Sequence, residues 1–447
     1  PLVYDAINDS NRIASVDGVA AAKAAGMRVL VTDHHLPGQQ LPDADAIVNP
    51  NQPGCGFASR CLAGVGVLFY VLLALRARLR AAGAFAGRDE PSLADELDLV
   101  AIGTVADVVP LDRNNRILVE QGLRRIRAGR ARPGVYALAR AAGRDPARLN
   151  AADIGFGLAP RLNAAGRLQD MALGVACLLA ADDNAARQAA LRLEELNTER
   201  RELQAQMQAD AMAAVAVVEK ELAGELPAGL CVYRPSWHEG IVGLVAGRVR
   251  EHYHRPTVAF APSGDSGMLK GSARSLPGVH IRDVLERLAT ADPGLMTRFG
   301  GHASAAGLTL HADRLEDFTR AFGEELNSWV SAESLAGLIE TDGALGGDEL
   351  SLDNARLLRL SGPWGAGFPE PVFDGLFTVD EQRVVGSGHL KLRVRTIEGE
   401  RLVEAIAFGR DRPIANDQPQ RLVYRIDSNI YRGMESVQLV VSNVEPP

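Results

Sequence analysis

No stretch of this 447-residue chain stays apolar for the roughly 18 residues that a membrane-spanning helix needs, although 47% of its residues are hydrophobic. No membrane span is therefore expected. Cysteine is scarce: Cys55, Cys61, Cys177 and Cys231 lie too far apart for a CxxC zinc or redox pair, and four in so long a chain make no disulfide framework. A reducing cytosol is the expected compartment. Also missing are an initial Met and any basic-then-apolar leader; the opening on Pro1 reads as a start that was cut away or never recorded. Nor is there an excess of positive charge. The net charge of −8 argues, for the chain as a whole, against a nucleic-acid partner. Charge can be local, however, and GLRRIRAGRAR sets Arg124, Arg125, Arg127, Arg130 and Arg132 within nine residues. A solvated helix face is the competing reading of that run.

What is present suggests several domains, since the length exceeds what one hydrophobic core serves. The first part alternates helix and strand signals. VDGVAAAKAAG (16–26) is Ala-rich and closes on Gly, MRVLVT reads as a short strand, a helix is expected from about Val65 to Ala82, and LDLVAIGTVADVV is a second apolar run leading into an acid. Such alternation predicts a parallel α/β sheet. From Asn184 to Leu222 helix formers run without Gly or Pro, predicting one long connecting helix. A second α/β unit follows, with LCVYR and PTVAFA as strands around the helix GIVGLVAGRVREHY. The last part, with RVVG, LKLRVRTI, VEAIAF, RLVYRI and VQLVVSNV separated by turn residues, predicts a small barrel or sandwich.

The chemistry begins at VLVTDHHLPG. Ligands of α/β sheets gather past the C-terminal ends of parallel strands, where Asp33, His34 and His35 fall. Imidazole and carboxylate are the usual ligands of a hard or borderline divalent metal. Adjacent side chains after a strand face opposite ways, so one histidine is expected on the metal and the other on the substrate. A polar loop without a ligand is the alternative. Asp107, in GTVADVVPL, also follows an apolar run and needs a partner; a metal would supply one, as would a helix N-terminus that it caps. PRLNAAGRL offers Arg161, Asn163 and Arg167, two guanidiniums and an amide suited to phosphate. RFGGHASAAGL sets Gly300, Gly301 and His302 where bare amides could meet an anion at the start of a following helix, or simply turn the chain. KGSARS adds Lys270, Ser272 and Arg274, or else a polar strand edge.

Taken together VTDHHLPG, LAGVGVLFY, GTVADVVPL, PRLNAAGRL, WHEGIVGLVAGR, KGSARS, GGHASAAGL and GPWGAGFPEPVFDG resemble, in order, the RecJ single-stranded-DNA exonucleases of the DHH phosphoesterase superfamily, over nearly the whole chain from Ile13. The resemblance implies a DHH domain over residues 1–183, a connecting helix over 184–224, a DHHA1 domain over 225–332 and an OB-like single-strand-binding barrel over 333–447. It implies two divalent cations, Mn²⁺ or Mg²⁺, with His34 and Asp107 as ligands, His35 on a phosphate and Asp33 orienting the histidines. Arg161, Asn163 and Arg167 would face the DNA, with Ser272, Arg274, Gly300, Gly301 and His302 near its backbone. In that scheme two metals activate water for in-line attack while the arginines and glycine amides hold the phosphate oxygens. Trp364, Phe368 and Tyr431 are candidates for base stacking or for core packing. The expected partners are single-stranded DNA, a helicase and a single-strand-binding protein.

One departure stands out. Other family members carry a DxDG and then a VDNG-like motif upstream of DHH. Here DSNR occupies the second, with Ser10 in place of its aspartate and Asp9 one place away, which in a strand is the opposite face. The expectation is that residues 1–12 are a foreign start or the mark of a truncated variant, and that the chain as it stands is an inactive member of a processive 5′→3′ nuclease family. Rival expectations are a non-catalytic DHH-type DNA-binding scaffold, or a phosphodiesterase for short or cyclic oligonucleotides.

Overall fold

The computed structural model describes residues 15–38, 40–221, 226–264, 267–331, 335, 337–386, 388–397, 401–416 and 418–445. The expected break before Ile13, with Asp9 and Ser10, lies outside the described residues. Two compact units divide the chain: Pro1–Asn163 with Met171–Leu191 and Glu340–Pro447, and Ala164–Asp170 with Arg192–Ile339.

The first unit begins with helix α1 (Val16–Ala24) and two short parallel strands, β1 (Leu30–Thr32) and β2 (Ala46–Val48), in register Val31 to Ile47. Among the described residues its parallel sheet stops there. The second apolar run is not a strand but helix α3 (Leu97–Ala106), lying against α2 (Gly64–Ala81) and α4 (Arg113–Arg127). Val100, Ala101, Ile102 and Thr104 are all buried, so the run is apolar all round rather than alternating. A helix packed on several sides and a central strand look the same in composition. In α4, Leu118, Val119, Leu123 and Ile126 form the buried stripe, and Asp112 caps its start by accepting the Asn115 N–H at 2.8 Å.

The arginine run is largely absorbed by acids of this unit. Arg124 and Arg127 both bond Glu120, Arg125 bonds Asp95, and Arg132 bonds Glu96 and the buried Asp98. It is a paired structural face, not an open basic patch. Helices α5 (Pro133–Ala141) and the one-turn α6 (Ala151–Asp153) lead through a π-helical turn, Ile154–Leu158, into α7 (Ala159–Leu168) and then α8 (Ala172–Leu178). The long helix α9 spans Asp183–Glu221, matching the uninterrupted run of helix formers.

The C-terminal strands also belong to the first unit. After α13 (Leu352–Ser361), strands β8 (Phe373–Val385), β9 (His389–Thr396), β10 (Leu402–Ala407), β11 (Gln420–Tyr431) and β12 (Met434–Glu445) form a closed barrel in the order β10-β12-β11-β8-β9. The ring closes where β10 pairs β9 on one side and, in parallel, β12 on the other. Its filling includes Phe377, Leu390, Val394, Leu422, Tyr424 and Leu439. Closure leaves no open edge, which decides barrel over sandwich.

In the second unit, β3 (Leu230–Tyr233), helix α10 (Val242–Tyr253) and β4 (Thr257–Pro262) make a parallel crossover. Antiparallel strands β5 (Met268–Arg274), β6 (Arg298–Gly301) and β7 (Ala305–His311) complete a five-stranded sheet in the order β3-β4-β5-β7-β6. Helices α11 (Ile281–Ala291) and α12 (Leu315–Leu326) cover the face carrying Val258 and Phe260, while Ala259 and Ala261 point to the α10 side. Two open readings are decided here. KGSARS is the central strand β5 rather than an edge. GGH lies in the β6–β7 hairpin, with no helix starting after it; the His302 N–H donates to the Ala305 carbonyl at 2.8 Å and closes that turn. No described helix is long and apolar enough to cross a membrane.

Candidate metal and phosphate sites

Strand β1 ends at Thr32, and the Asp33 N–H still donates across to the Val48 carbonyl at 3.1 Å. The Asp33 side chain is buried. Its Oδ1 accepts the backbone N–H groups of His34 at 2.6 Å and His35 at 3.1 Å, and lies 2.7 Å from His35 Nδ1. That contact turns Nδ1 to Asp33 and leaves Nε2 on the opposite side of the ring. His34 is oriented differently: its Nε2 lies 3.1 Å from Asp107 Oδ2, and its ring also hydrogen-bonds the Leu62 backbone. Ring nitrogen Nε2 and carboxylate thus converge on one point. Burial, with the neighbouring His35, holds the His34 pKa below its ordinary value against the opposing pull of Asp107 and Asp33. The neutral form is the one that binds metal.

Asp107 is not at a strand end. It is the C-cap residue of α3, with its side chain 43% exposed. The competing N-terminal cap is excluded by the same observation. A carboxylate at the negative end of a helix dipole is disfavoured unless a cation lies beside it. The next residue, Val108, sits at φ +56°, a left-handed conformation that a β-branched residue rarely adopts. Asp33, His34 and His35 bring potential ligand atoms within 4.8 Å of one another, and imidazole beside carboxylate suits a borderline divalent ion.

The residues that hold this cluster were missed by sequence reasoning. In the NPNQ segment after β2, Asn49 Nδ2 donates to the His35 carbonyl at 2.8 Å and Asn51 Nδ2 to the His34 carbonyl at 2.6 Å. Asn49 Oδ1 in turn accepts the Asn51 N–H at 2.8 Å, and Gln52 Nε2 reaches back to Ile47. Amide side chains directly after a strand are the signal that could have found them.

The remaining candidates fall into separate groups. In α7, Arg161 is buried and donates to the Gly157 and Ala141 carbonyls at 2.6 and 3.3 Å; Asn163 is half-buried in the same helix. Arg167 belongs to the second unit, where it donates to the Gly240 carbonyl at 3.0 Å. Period-two geometry places Lys270, Ser272 and Arg274 on one face of β5. Arg274 donates to Ser272 Oγ at 2.9 Å, and a Cβ on Gly243 of α10 would lie 2.6 Å from its Nη2, so glycine lets the helix pass over the guanidinium. Burial lowers the pKa of both Arg167 and Arg274, and Arg274 is lowered further by the charges of Arg167 and Arg250. Neither Arg167 nor Arg274 has a carboxylate partner among the described residues. Gathered, partly desolvated cations of this kind suit an anion. Gly300 and Gly301 lie in the edge strand β6, and His302 is exposed at its hairpin. Trp364 and Phe368 stack on each other at 4.9 Å, while Tyr431 is 62% exposed beside Arg432, so core packing does not describe Tyr431.

Family models match in three places: the DHH family N-terminal domain over residues 6–104, the DHHA1 domain over 226–328 and the RecJ OB domain over 341–443. The single-stranded-DNA-specific exonuclease RecJ of Dickeya dadantii is 52% identical over 98% of this chain and 76% of its own length. Its Escherichia coli counterpart is 50% identical over the same shares. Among solved structures, RecJ of Thermus thermophilus in complex with Mn²⁺ superposes with a TM-score of 0.75 at 28% identity, covering 97% of this chain and 60% of the other. The same enzyme in complex with Mg²⁺ gives 0.70 at 27% identity, covering 94% and 60%. The chain therefore spans about three-quarters of the enterobacterial relatives and three-fifths of the Thermus chain.

Proposed function

The chain belongs to the RecJ family, and from that premise we propose that it hydrolyses phosphodiester bonds of single-stranded DNA from the 5′ end with Mn²⁺ or Mg²⁺ bound at His34 and Asp107. The observation that carries the reading is the pairing of His34 Nε2 with Asp107 Oδ2 at 3.1 Å, a ring nitrogen and a carboxylate meeting at the negative end of a helix. A divalent cation there would neutralise the phosphate and lower the pKa of the attacking water. Everything else falls to the chain's own residues. Asp33 fixes the ring of His35 through Nδ1, and with a proton on Nε2 as well the imidazolium would donate to a phosphate oxygen. Asn49 and Asn51 hold the backbone that carries both histidines. In the second unit, Arg167, Ser272 and Arg274 offer guanidinium and hydroxyl donors to the phosphodiester backbone, and His302 at its exposed hairpin offers another. The barrel would grip the unreacted strand. DNA repair and recombination in the cytoplasm, beside a helicase and a single-strand-binding protein, belong to the same proposal, because single strands arise there by unwinding.

The test is release of mononucleotides from a labelled single strand by the purified chain with Mn²⁺, against a duplex of the same sequence and against His34→Ala. Degradation of the single strand alone, lost in His34→Ala, supports the proposal. A folded, Mn²⁺-loaded chain that leaves the strand intact overturns it and returns the inactive reading of the sequence. The scaffold reading gains nothing from the geometry, since the histidine and aspartate pairings are in place without any need for them in passive binding.

A further inference from the structure

The motif GPWGAGF is not absorbed by the proposed function. Residues 365–368 form a tight turn in which Gly365 and Phe368 exchange backbone hydrogen bonds at 2.9 and 3.1 Å. At its apex the Ala366 carbonyl accepts the Leu111 N–H at 2.6 Å. Both glycines are needed for this approach. A Cβ on Gly365 would come within 2.7 Å of Leu111 Cδ1, and one on Gly367, already at φ +68°, within 3.1 Å of Pro110 Cβ. Phe368 stacks on Trp364 at an interplanar angle of 19° and takes the Arg116 guanidinium 3.9 Å from its ring centroid. Trp364 Nε1 is tied to the Leu358 carbonyl of α13 at 2.9 Å.

The same short segment is gripped from elsewhere in the unit. Asn115, fully buried, donates to the Pro110 carbonyl at 2.9 Å and to the Cys61 carbonyl at 2.7 Å. Cys61 immediately precedes Leu62, whose backbone bonds the His34 ring. Ser59 Oγ donates to Asp112 Oδ2 at 2.6 Å and joins the same two loops again. Between these grips and Asp107 stands Val108, 71% exposed and left-handed, with no side-chain packing to favour that conformation. A strained backbone persists only where its surroundings impose it. Here the surroundings are Asn115 on one side and the glycine turn on the other.

We propose that the turn at residues 364–368, at the entry to the barrel, is a positioning element for Asp107: by holding Pro110 and Leu111 it sets the carboxylate against His34 and makes divalent-metal affinity depend on how the barrel is seated. The proposal rests on the reading of His34 and Asp107 as metal ligands. It assigns Trp364 and Phe368 to this support rather than to bases.

Mn²⁺ calorimetry on the whole chain tests it, with thermal unfolding and metal-free binding of a single strand measured alongside. Gly367→Val should weaken Mn²⁺ binding about 10–100-fold, the usual consequence of disturbing a ligand's support. Gly433→Val is the control: it also places a side chain at positive φ, +80°, but with nothing within 4 Å of its Cβ. It should bind Mn²⁺ as the native chain does, and both variants should bind the strand normally without metal. Should Gly367→Val fail to fold, Phe368→Leu removes the ring from Arg116 and Trp364 more gently and should still weaken Mn²⁺ binding, with Phe368→Tyr restoring it. Native Mn²⁺ affinity in a folded Gly367→Val or Phe368→Leu overturns the inference while leaving the metal site standing. A native chain that takes up no Mn²⁺ overturns the metal reading and this inference with it.

Discussion

Asp33 Oδ1 lies 2.7 Å from His35 Nδ1 while accepting the backbone N–H groups of both histidines, so one buried oxygen sets the ring orientation and the local backbone together. Asp33→Asn keeps an acceptor but loses the charge that makes those bonds strong. The variant should fold, lose about 1–3 kcal/mol of stability, and lose roughly 10–100-fold in Mn²⁺-dependent cleavage of single strands. Urea unfolding and a nuclease assay give the two numbers. Full activity in Asp33→Asn would remove Asp33 from any orienting role.

Asn51 joins the His34 and Arg60 carbonyls through one amide nitrogen, at 2.6 and 3.2 Å. Asn51→Ala leaves both carbonyls without that donor and should cost about 1–3 kcal/mol. Asn51→Asp should cost more, because it turns an acceptor towards two acceptors. The order of the denaturation midpoints, native above Ala above Asp, is the check.

Arg274 is held beside Arg167 and Arg250 without a carboxylate among the described residues, which stabilises an incoming anion at the expense of the free fold. Arg274→Gln should therefore melt no lower than the native chain while binding single strands more weakly. The slope of log affinity against log salt should shrink by about 0.7 for each phosphate that is no longer neutralised. Lower stability with unchanged DNA binding would make Arg274 a structural residue only.

Glu435, on β12, bonds Arg356 and also Arg148 at 2.5 Å; these two guanidiniums hold its pKa down from 4.5 to about 2. A depressed folded pKa means stability that is complete above the unfolded value and is lost as pH falls through the folded one. The melting-temperature difference between native chain and Glu435→Gln should be constant above about pH 5 and should shrink between about 4.5 and 2. A difference that persists at pH 2 would show that the tie acts by shape rather than charge.

Some of this was legible in the residues themselves. The β-branched run ahead of Asp33 placed a strand end there, and the absence of Gly and Pro after Asn184 placed the long helix. Alternation in the last segments placed most of the barrel strands, because a side-chain period of two survives in any all-β fold. The apolar run before Asp107 fits a strand or a helix equally, since a helix buried on several sides carries no periodicity to betray it. The arginine run fits a local basic patch or a solvated helix face, and only the fold sets Glu120, Asp95, Glu96 and Asp98 beside it. RFGGH allows either an anion site ahead of a helix or a tight turn, and the pairing of β6 with β7 makes it the turn.

Residue types and their order determined by themselves the chemistry on offer: imidazole and carboxylate for a metal, guanidinium for phosphate, and a family likeness through the ordered motifs. Only the tertiary structure decided how those groups are held. The hydrogen bonds that matter, Asn51 to His34, Asn115 to both Cys61 and Pro110, and Ala366 to Leu111, mostly join residues from 17 to some 250 positions apart. Side-chain periodicity reports only what a segment does with its own neighbours, and these positions acquire their meaning from partners that local sequence does not name.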